Sequence, residues 1–259
     1  MRIWKEGTLR ISIKDKREIA IMREGGKILG LILSELQKMI VPGTTTKALD
    51  ERAAQLMQKY GVEASFKGYR GYPAAICASI NEEVVHGIPG TRKIIGGDIV
   101  TIDCGVFCKG FHTDSAITGG AGAISPEKSR LIATAEKALA KAIESVKPGI
   151  RIRAVSEIIQ NTVEKNGYSV IRDLVGHGIG REIHEDPQIP NFRDKDPGPI
   201  LQPGMTLAIE PIIAMGNYEV KILRDGWTFV TKDGSPSAQV EHTVAVTEKG
   251  VEILTKRSD

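Results

Sequence analysis

A chain of 259 residues with 41% hydrophobic content is long enough for one large domain or two small ones, and it can supply a buried core. Its 35 basic and 32 acidic residues leave a net charge of +3, too small to make nucleic acid the main partner. Three cysteines (Cys77, Cys104 and Cys108) leave one unpaired, a sparse use that suits a reducing compartment better than a disulfide framework.

Residues 1–27 carry eight basic side chains (Arg2, Lys5, Arg10, Lys14, Lys16, Arg17, Arg23, Lys27) against four acidic ones (Glu6, Asp15, Glu18, Glu24). This stretch reads as a solvated helix face, with a docking surface as the alternative. Arg2, Lys5, Glu6 and Arg10 interrupt any apolar core of an export signal. The longest apolar stretch, residues 29–33, is far short of the roughly 20 residues that span a bilayer. The expectation is a soluble, cytoplasmic protein without membrane contact, and nothing calls for more than a monomer.

Asp15 with Glu18 forms a capping-box pattern, and Ile19, Met22, Leu29, Leu33 and Leu36 recur near helical spacing before Pro42 stops the helix. Val41-Pro42-Gly43 is followed 18 residues later by Gly61, and Lys147-Pro148-Gly149 is followed 18 residues later by Gly167. Nearly the same offset lays residues 97–103, ending in Asp103, onto residues 204–210, ending in Glu210, so that a carboxylate closes each predicted strand. Ser125 before Pro126 caps a helix that runs to about Val146. Residues 99–102, 206–209 and 244–246 read as strands. Each half is thus a long helix, a Pro-Gly break, a second helix ending at glycine, and strands. With no linker between them, residues 1–259 are expected to form one α+β domain of pseudo-twofold symmetry. Its halves run about 15–120 and 121–250, with a site at the centre.

Residues 103–114 read as a hairpin turning at Lys109-Gly110, which pairs Asp114 with Gly105 and Ala116 with Asp103. Asp103 and Asp114 then share a sheet face, about 7 Å apart at their Cα atoms. Two such anions repel; unpaired, a buried carboxylate takes up a proton, whereas a cation between them removes the penalty. Glu210, Glu241 (in a later strand) and His177 (in Gly176-His177-Gly178-Ile179-Gly180, where glycines permit close approach) complete the candidate set. If the halves fold face to face, four carboxylates and one imidazole converge, and two divalent ions balance them. Taken singly, each aspartate is more often a turn or surface residue and His177 a hydrogen-bonded structural one, while Glu210 could be a strand end and Glu241 a solvated residue. His112 and His242 are placed at the surface or behind the ligands. Cys104 and Cys108 lack a second pair at zinc-site spacing and are expected to pack in a strand.

In order and spacing, Asp103, Asp114, Gly176-His177-Gly178-Ile179-Gly180, Ile209-Glu210-Pro211 and Glu241-His242-Thr243 resemble the type I methionine aminopeptidase family over nearly the whole chain. Residues 79–89 and Gly71-Tyr72-Pro73 resemble it too. The resemblance implies the pita-bread fold and removal of N-terminal methionine from nascent polypeptides. It also implies two divalent metal ions (manganese, iron, cobalt or zinc). Asp103 would hold one ion, His177 the other, Asp114 and Glu241 would bridge both, and Glu210 would ligate and accept a proton from water. His86 and His184 would contact the substrate, and Tyr69, Tyr72, Cys77 and Trp227 would line a methionine pocket. Phe66 and Ile183 depart from the family's common cysteine and phenylalanine, which bears on the pocket's fine selectivity. The rival readings are an Xaa-Pro aminopeptidase or dipeptidase of the same fold and a non-catalytic interaction module. The basic N-terminal stretch could also steer the chain to ribosomal RNA.

Overall fold

The computed structural model describes residues 10–257; Arg2, Lys5 and Glu6, on which part of the N-terminal charge and export-signal reading rests, lie outside them. In chain order the elements are α1 (Lys16–Gln37), α2 (Thr46–Tyr60), β1 (Glu63–Ala64), β2 (Ile76–Ile80), β3 (Glu83–Val85), β4 (Ile99–Cys108), β5 (Phe111–Gly120), α3 (Pro126–Ser145) and α4 (Ile152–Glu164). Then follow β6 (Ser169–Val170), β7 (Val175–Gly178), β8 (Glu185–Pro190), β9 (Thr206–Ile209), β10 (Ile212–Ala214), β11 (Val220–Ile222), β12 (Phe229–Thr231), β13 (Ser237–Gln239), β14 (His242–Thr247) and β15 (Gly250–Ile253).

The helices begin where the capping chemistry puts them. Asp15 accepts from the Glu18 N–H while the Glu18 side chain accepts from the Asp15 N–H, satisfying two donors that the first turn leaves free. Ser125 caps α3, with Pro126 inside it and Val146 just beyond its end. Gly61 ends α2 in the left-handed conformation at φ 68°. In the other half Lys165 follows α4, and Gly167, at φ 83°, makes the turn two residues later.

Each half builds one large sheet. In the first, β1, β4 and β2 lie in that order with β5 paired to β4; in the second the order is β15-β14-β9-β7-β8. Helices α1 and α2 cover the first sheet through Leu29, Leu33, Leu49 and Leu56, and α3 and α4 cover the second through Leu131, Ala135, Val155 and Ile159, all buried. Cys104 and Cys108 pack into the first of these apolar clusters. The halves meet along a seam where side-chain hydroxyls stand in for ladder hydrogen bonds. Thr243 Oγ1 accepts from Asp114 N and donates to Asp114 O at 2.9 and 2.7 Å; Ser115 Oγ donates to Glu241 O at 2.6 Å, and Glu241 N to Ala116 O at 3.0 Å.

Three expectations change. Asp103 does not close its strand, because β4 continues to Cys108 to pair along the whole hairpin; Glu210 does stand just past β9. Glu241 lies not within a strand but in the break between β13 and β14, where the chain leaves one sheet and enters another. The N-terminal basic residues are not uniformly solvated. Lys16, Arg17 and Lys27 are exposed, whereas Lys14 is buried against Glu185 and Arg23 pairs with Glu252.

Helix α1 also carries the C-terminal segment across its back. A Cβ added at Gly26 would strike the Leu254 carbonyl. Gly26→Ala should therefore destabilise the fold by ~1–3 kcal/mol through overpacking against backbone that cannot rotate away. A denaturant midpoint equal to that of the parent chain would contradict this.

Candidate metal centre

The hairpin register places the first two carboxylates as expected: Asp103 pairs with Ala116 and Gly105 with Asp114, so both aspartates point from one face. Gly105 is small for a reason, since a Cβ there would approach Phe66 Cε1 to 3.0 Å and push that ring out of the wall beside the aspartates. On the opposite sheet, β7 pairs with both β8 and β9 through a stretch with little side-chain bulk. A Cβ at Gly176 would meet the Ala208 carbonyl at 2.5 Å, and one at Gly178 would strike the Asp186 carbonyl. The glycines around His177 thus let its strand sit between two neighbours and bring its ring inward.

Across the seam the groups converge. Single ligand atoms of Asp114, His177 and Glu241 lie within 4.8 Å of one another. His177 Nε2 is 3.8 Å from Glu210 Oε1. Asp103, Asp114, His177, Glu210 and Glu241 all line one cavity of about 620 Å³, and so do His86 and His184. His112 and His242 are absent from that lining. Their Nδ1 atoms bond Ser65 Oγ and Thr255 Oγ1, each at 2.9 Å.

Burial and mutual repulsion set these carboxyls apart. Burial pushes Asp103 up to about 7. Burial, then the charges of Glu241 and Asp103, holds Asp114 well above the usual carboxylate range. Glu210 is raised by burial and by Asp103 and Asp114, and Glu241 by burial and by Glu210 and Asp103. The groups therefore feel one another as a single cluster. Oδ1 of Asp103, Oδ1 of Asp114 and Oε1 of Glu241 are buried without any hydrogen-bond donor. A buried carboxylate oxygen without a donor is costly unless a cation meets it. The set of hard oxygens with one imidazole fits a divalent transition-metal ion. His177 is prepared for that role: its Nδ1 lies 2.8 Å from the Gly178 carbonyl, which can only accept, so the hydrogen sits on Nδ1 and the Nε2 lone pair faces the carboxylates.

Part of the remaining cavity wall is apolar. Phe66, Tyr72, Ala74, Cys77 and Ile183 form a buried cluster with Tyr69 and Trp227 packed against it. Tyr72 meets Trp227 edge-on at 5.1 Å. Cys77 lies opposite Asp103 in the β2–β4 register, which ties this wall to the carboxylates. Burial lowers His86 to about 4 and, with the neighbouring imidazoles His177 and His86, His184 to about 2, so both are neutral near pH 7. His86 holds a left-handed φ of 59°, an uncommon conformation for a residue with a side chain.

Some contributors carry no motif. Gln239 Nε2 donates to Glu210 Oε2 at 3.0 Å; its place two residues before Glu241 was visible, but the strand break between them was not. Phe229 packs edge-on to His86 at 5.7 Å. Lys14 braces Glu185, which also accepts from the Arg181 and Glu182 N–H groups beside Ile183 and His184. Nothing local to residue 14 signals a partner 171 positions away.

Buried carboxylates and an imidazole gathered at the centre of a duplicated α+β fold define a metal-dependent hydrolase. The chain belongs to metallopeptidase family M24, whose family model matches residues 20–248. It is 51% identical over 245 residues to the methionine aminopeptidase of Clostridium perfringens, covering 95% of this chain and 98% of that protein. It is 48% identical to methionine aminopeptidase 1 of Bacillus subtilis, covering 95% and 99%. The crystal structure of methionine aminopeptidase from Thermotoga maritima superposes with a TM-score of 0.94 at 47% identity, covering 96% of this chain and all of that one. The prolidase from Pyrococcus furiosus superposes at 0.79 with 24% identity, over 95% of this chain and 66% of the prolidase, which shows a shared fold. The pita-bread architecture expected from the sequence is the one observed. No helix among the described residues is long and apolar enough to cross a membrane.

A carboxyl whose pKa is raised by folding stabilises the fold while protonated and loses that contribution as pH rises through the folded value. Chelator-treated protein should therefore lose thermal stability between about pH 5 and about pH 8, and added Mn²⁺ should raise the midpoint more at the higher pH. An equal metal-induced shift at both pH values would show that the cluster is not where the ion binds.

Proposed function

We propose that this chain is a cytoplasmic methionyl aminopeptidase that removes the N-terminal methionine from nascent polypeptides with two divalent metal ions. The observation that carries the reading is the joining of the donor-poor carboxylate cluster to an aromatic-rich apolar wall in one cavity. The high identity to methionine aminopeptidases over nearly full length supports it against the Xaa-Pro reading, whose structural relative shares only 24%.

Asp103, His177, Asp114, Glu241 and Glu210 would hold the ions, four carboxylates balancing two divalent charges. Ions held there would supply a lowered water pKa and charge stabilisation at the attacked carbonyl oxygen. The protein does the rest. Glu210, oriented by the Gln239 amide, accepts the proton of the attacking water. His86 and His184, neutral and facing the cavity, hydrogen-bond the scissile amide and the developing oxyanion. Tyr69, Tyr72, Cys77 and Trp227, with Phe66, would enclose the methionine side chain, whose thioether suits soft and aromatic walls. Phe66 lines the cavity and Ile183 is buried in the same apolar cluster, so these departures from the family pattern leave the proposed ligands untouched.

A non-catalytic scaffold would have no need to keep buried, donor-poor carboxylates together. The basic N-terminal stretch would add electrostatic steering to ribosomal RNA, through Lys16, Arg17 and Lys27 among the described residues. Absence of salt-sensitive co-sedimentation with ribosomes would remove that part of the proposal.

Metal-stripped protein, reconstituted with each of manganese, iron, cobalt and zinc, should release methionine from Met-Ala-Ser and act poorly on an Xaa-Pro peptide. Preferential Xaa-Pro cleavage would overturn the assignment. Glu210→Gln should lower kcat at least about a hundredfold, since it removes a ligand charge and the proton acceptor together. Near-normal turnover in that variant would refute its role.

A further inference from the structure

Two tyrosines stand on the apolar side of the cavity, and their hydroxyls go to different places. The Tyr72 hydroxyl turns toward backbone, donating to the Gly87 and Ile76 carbonyls at 3.0 and 3.2 Å, and so fastens the pocket wall to β2. The Tyr69 hydroxyl instead meets His184 Nδ1 at 2.9 Å, with the two rings 5.2 Å apart and tilted by 41°.

Tyr69 is held firmly for that contact. It sits in a tight turn where Gly68, Arg70 and Gly71 all have positive φ (85°, 50° and 87°). Tyr69 N donates to Phe66 O at 2.9 Å, Tyr72 N to Tyr69 O at 2.9 Å, and Gly68 N to Tyr72 O at 2.8 Å, closing the turn on itself. A left-handed Arg70 persists only where surroundings enforce it. Its guanidinium lies 5.3 Å over the Tyr69 ring.

The contact admits two directions, since a phenol oxygen both donates and accepts, and an imidazole Nδ1 donates in one tautomer and accepts in the other. Burial raises the Tyr69 pKa, so the phenol keeps its proton and has an O–H to give. An imidazole Nδ1 accepts that hydrogen only if its own hydrogen is on Nε2. We propose that Tyr69 is a positioning residue for the reaction, its hydroxyl donating to His184 Nδ1 and so fixing the ring in the tautomer that presents Nε2–H to the peptide. The inference rests on the aminopeptidase reading, in which His184 contacts the substrate, and it gives Tyr69 a task beyond lining the pocket. Donation from Nε2–H matches an oxygen that gains negative charge; the opposite tautomer would set a lone pair against it. His177, 4.4 Å from His184 between ring centroids, is held the other way by the Gly178 carbonyl. On this proposal two neighbouring imidazoles are sorted into one lone-pair donor and one N–H donor by the partners of their Nδ1 atoms.

Tyr69→Phe keeps the ring and removes only the oxygen. With the manganese-loaded enzyme and Met-Ala-Ser, kcat should fall about tenfold while KM changes by less than about twofold. The same substitution in a His184→Asn background should change kcat by less than about twofold, because its partner is gone. Independently of turnover, ¹⁵N histidine spectra of the metal-free protein, assigned with His184→Asn as the blank, should show His184 protonated at Nε2. That signal should move toward a mixture of tautomers in Tyr69→Phe and stay in place in Tyr72→Phe. Undiminished kcat in Tyr69→Phe, an equal loss with and without His184, or an Nδ1-protonated His184 in the parent chain would each overturn the proposal. A parent chain that releases no methionine would instead overturn the aminopeptidase reading, and the spectra would still decide the tautomer.

Discussion

Asp114 and Glu241, two of four mutually repelling carboxyl groups, are held by backbone and hydroxyl contacts that do not depend on their charge. Asp114 is fixed through its own N–H and C=O to Thr243 Oγ1, and Glu241 through its backbone to Ser115 and Ala116. Those bonds hold the two halves in register while leaving carboxylate oxygens without donors. A protein that satisfied these oxygens internally would be more stable alone and would have less use for a cation. The centre is therefore built from an unmet electrostatic demand, with the seam between the halves as its rigid frame.

The same frame divides the cavity into two environments. Toward the seam, oxygen and imidazole nitrogen face inward; toward β2 and the turn at residues 68–71, aromatic rings, a thiol and aliphatic carbon face inward. In the proposed reaction the ions would use the first and a methionine side chain the second, and catalysis would require them to be adjacent. Adjacency is achieved by strand pairing, because Cys77 on β2 and Asp103 on β4 are register partners. Movement of one wall would move the other.

Much of this was legible in the order of residues. Capping at Asp15 and Ser125, the breaks at Pro42 and Pro148, and the hairpin at Lys109-Gly110 depend on local rules, and a hairpin turn sets the register that follows it. The pairing of Asp103 with Ala116 and Gly105 with Asp114 thus follows from the sequence of the hairpin. The duplication was also readable, since glycines and prolines at matched offsets mark where both halves turn.

What tertiary structure alone decided lies in contacts between segments far apart in the chain. The burial of Lys14 against Glu185, the Gln239 amide on Glu210 and the Tyr69 hydroxyl on His184 each join residues with no periodic or spacing relation. Whether Glu241 falls within a strand or in the break between two was settled by where two sheets must separate to meet β5. Chain order determined the types of ligand, the local turns and the symmetry of the fold, because those follow from short-range sterics and hydrogen bonding. The protonation and orientation of each group were set only once distant side chains removed water from it and supplied a particular donor or acceptor in its place.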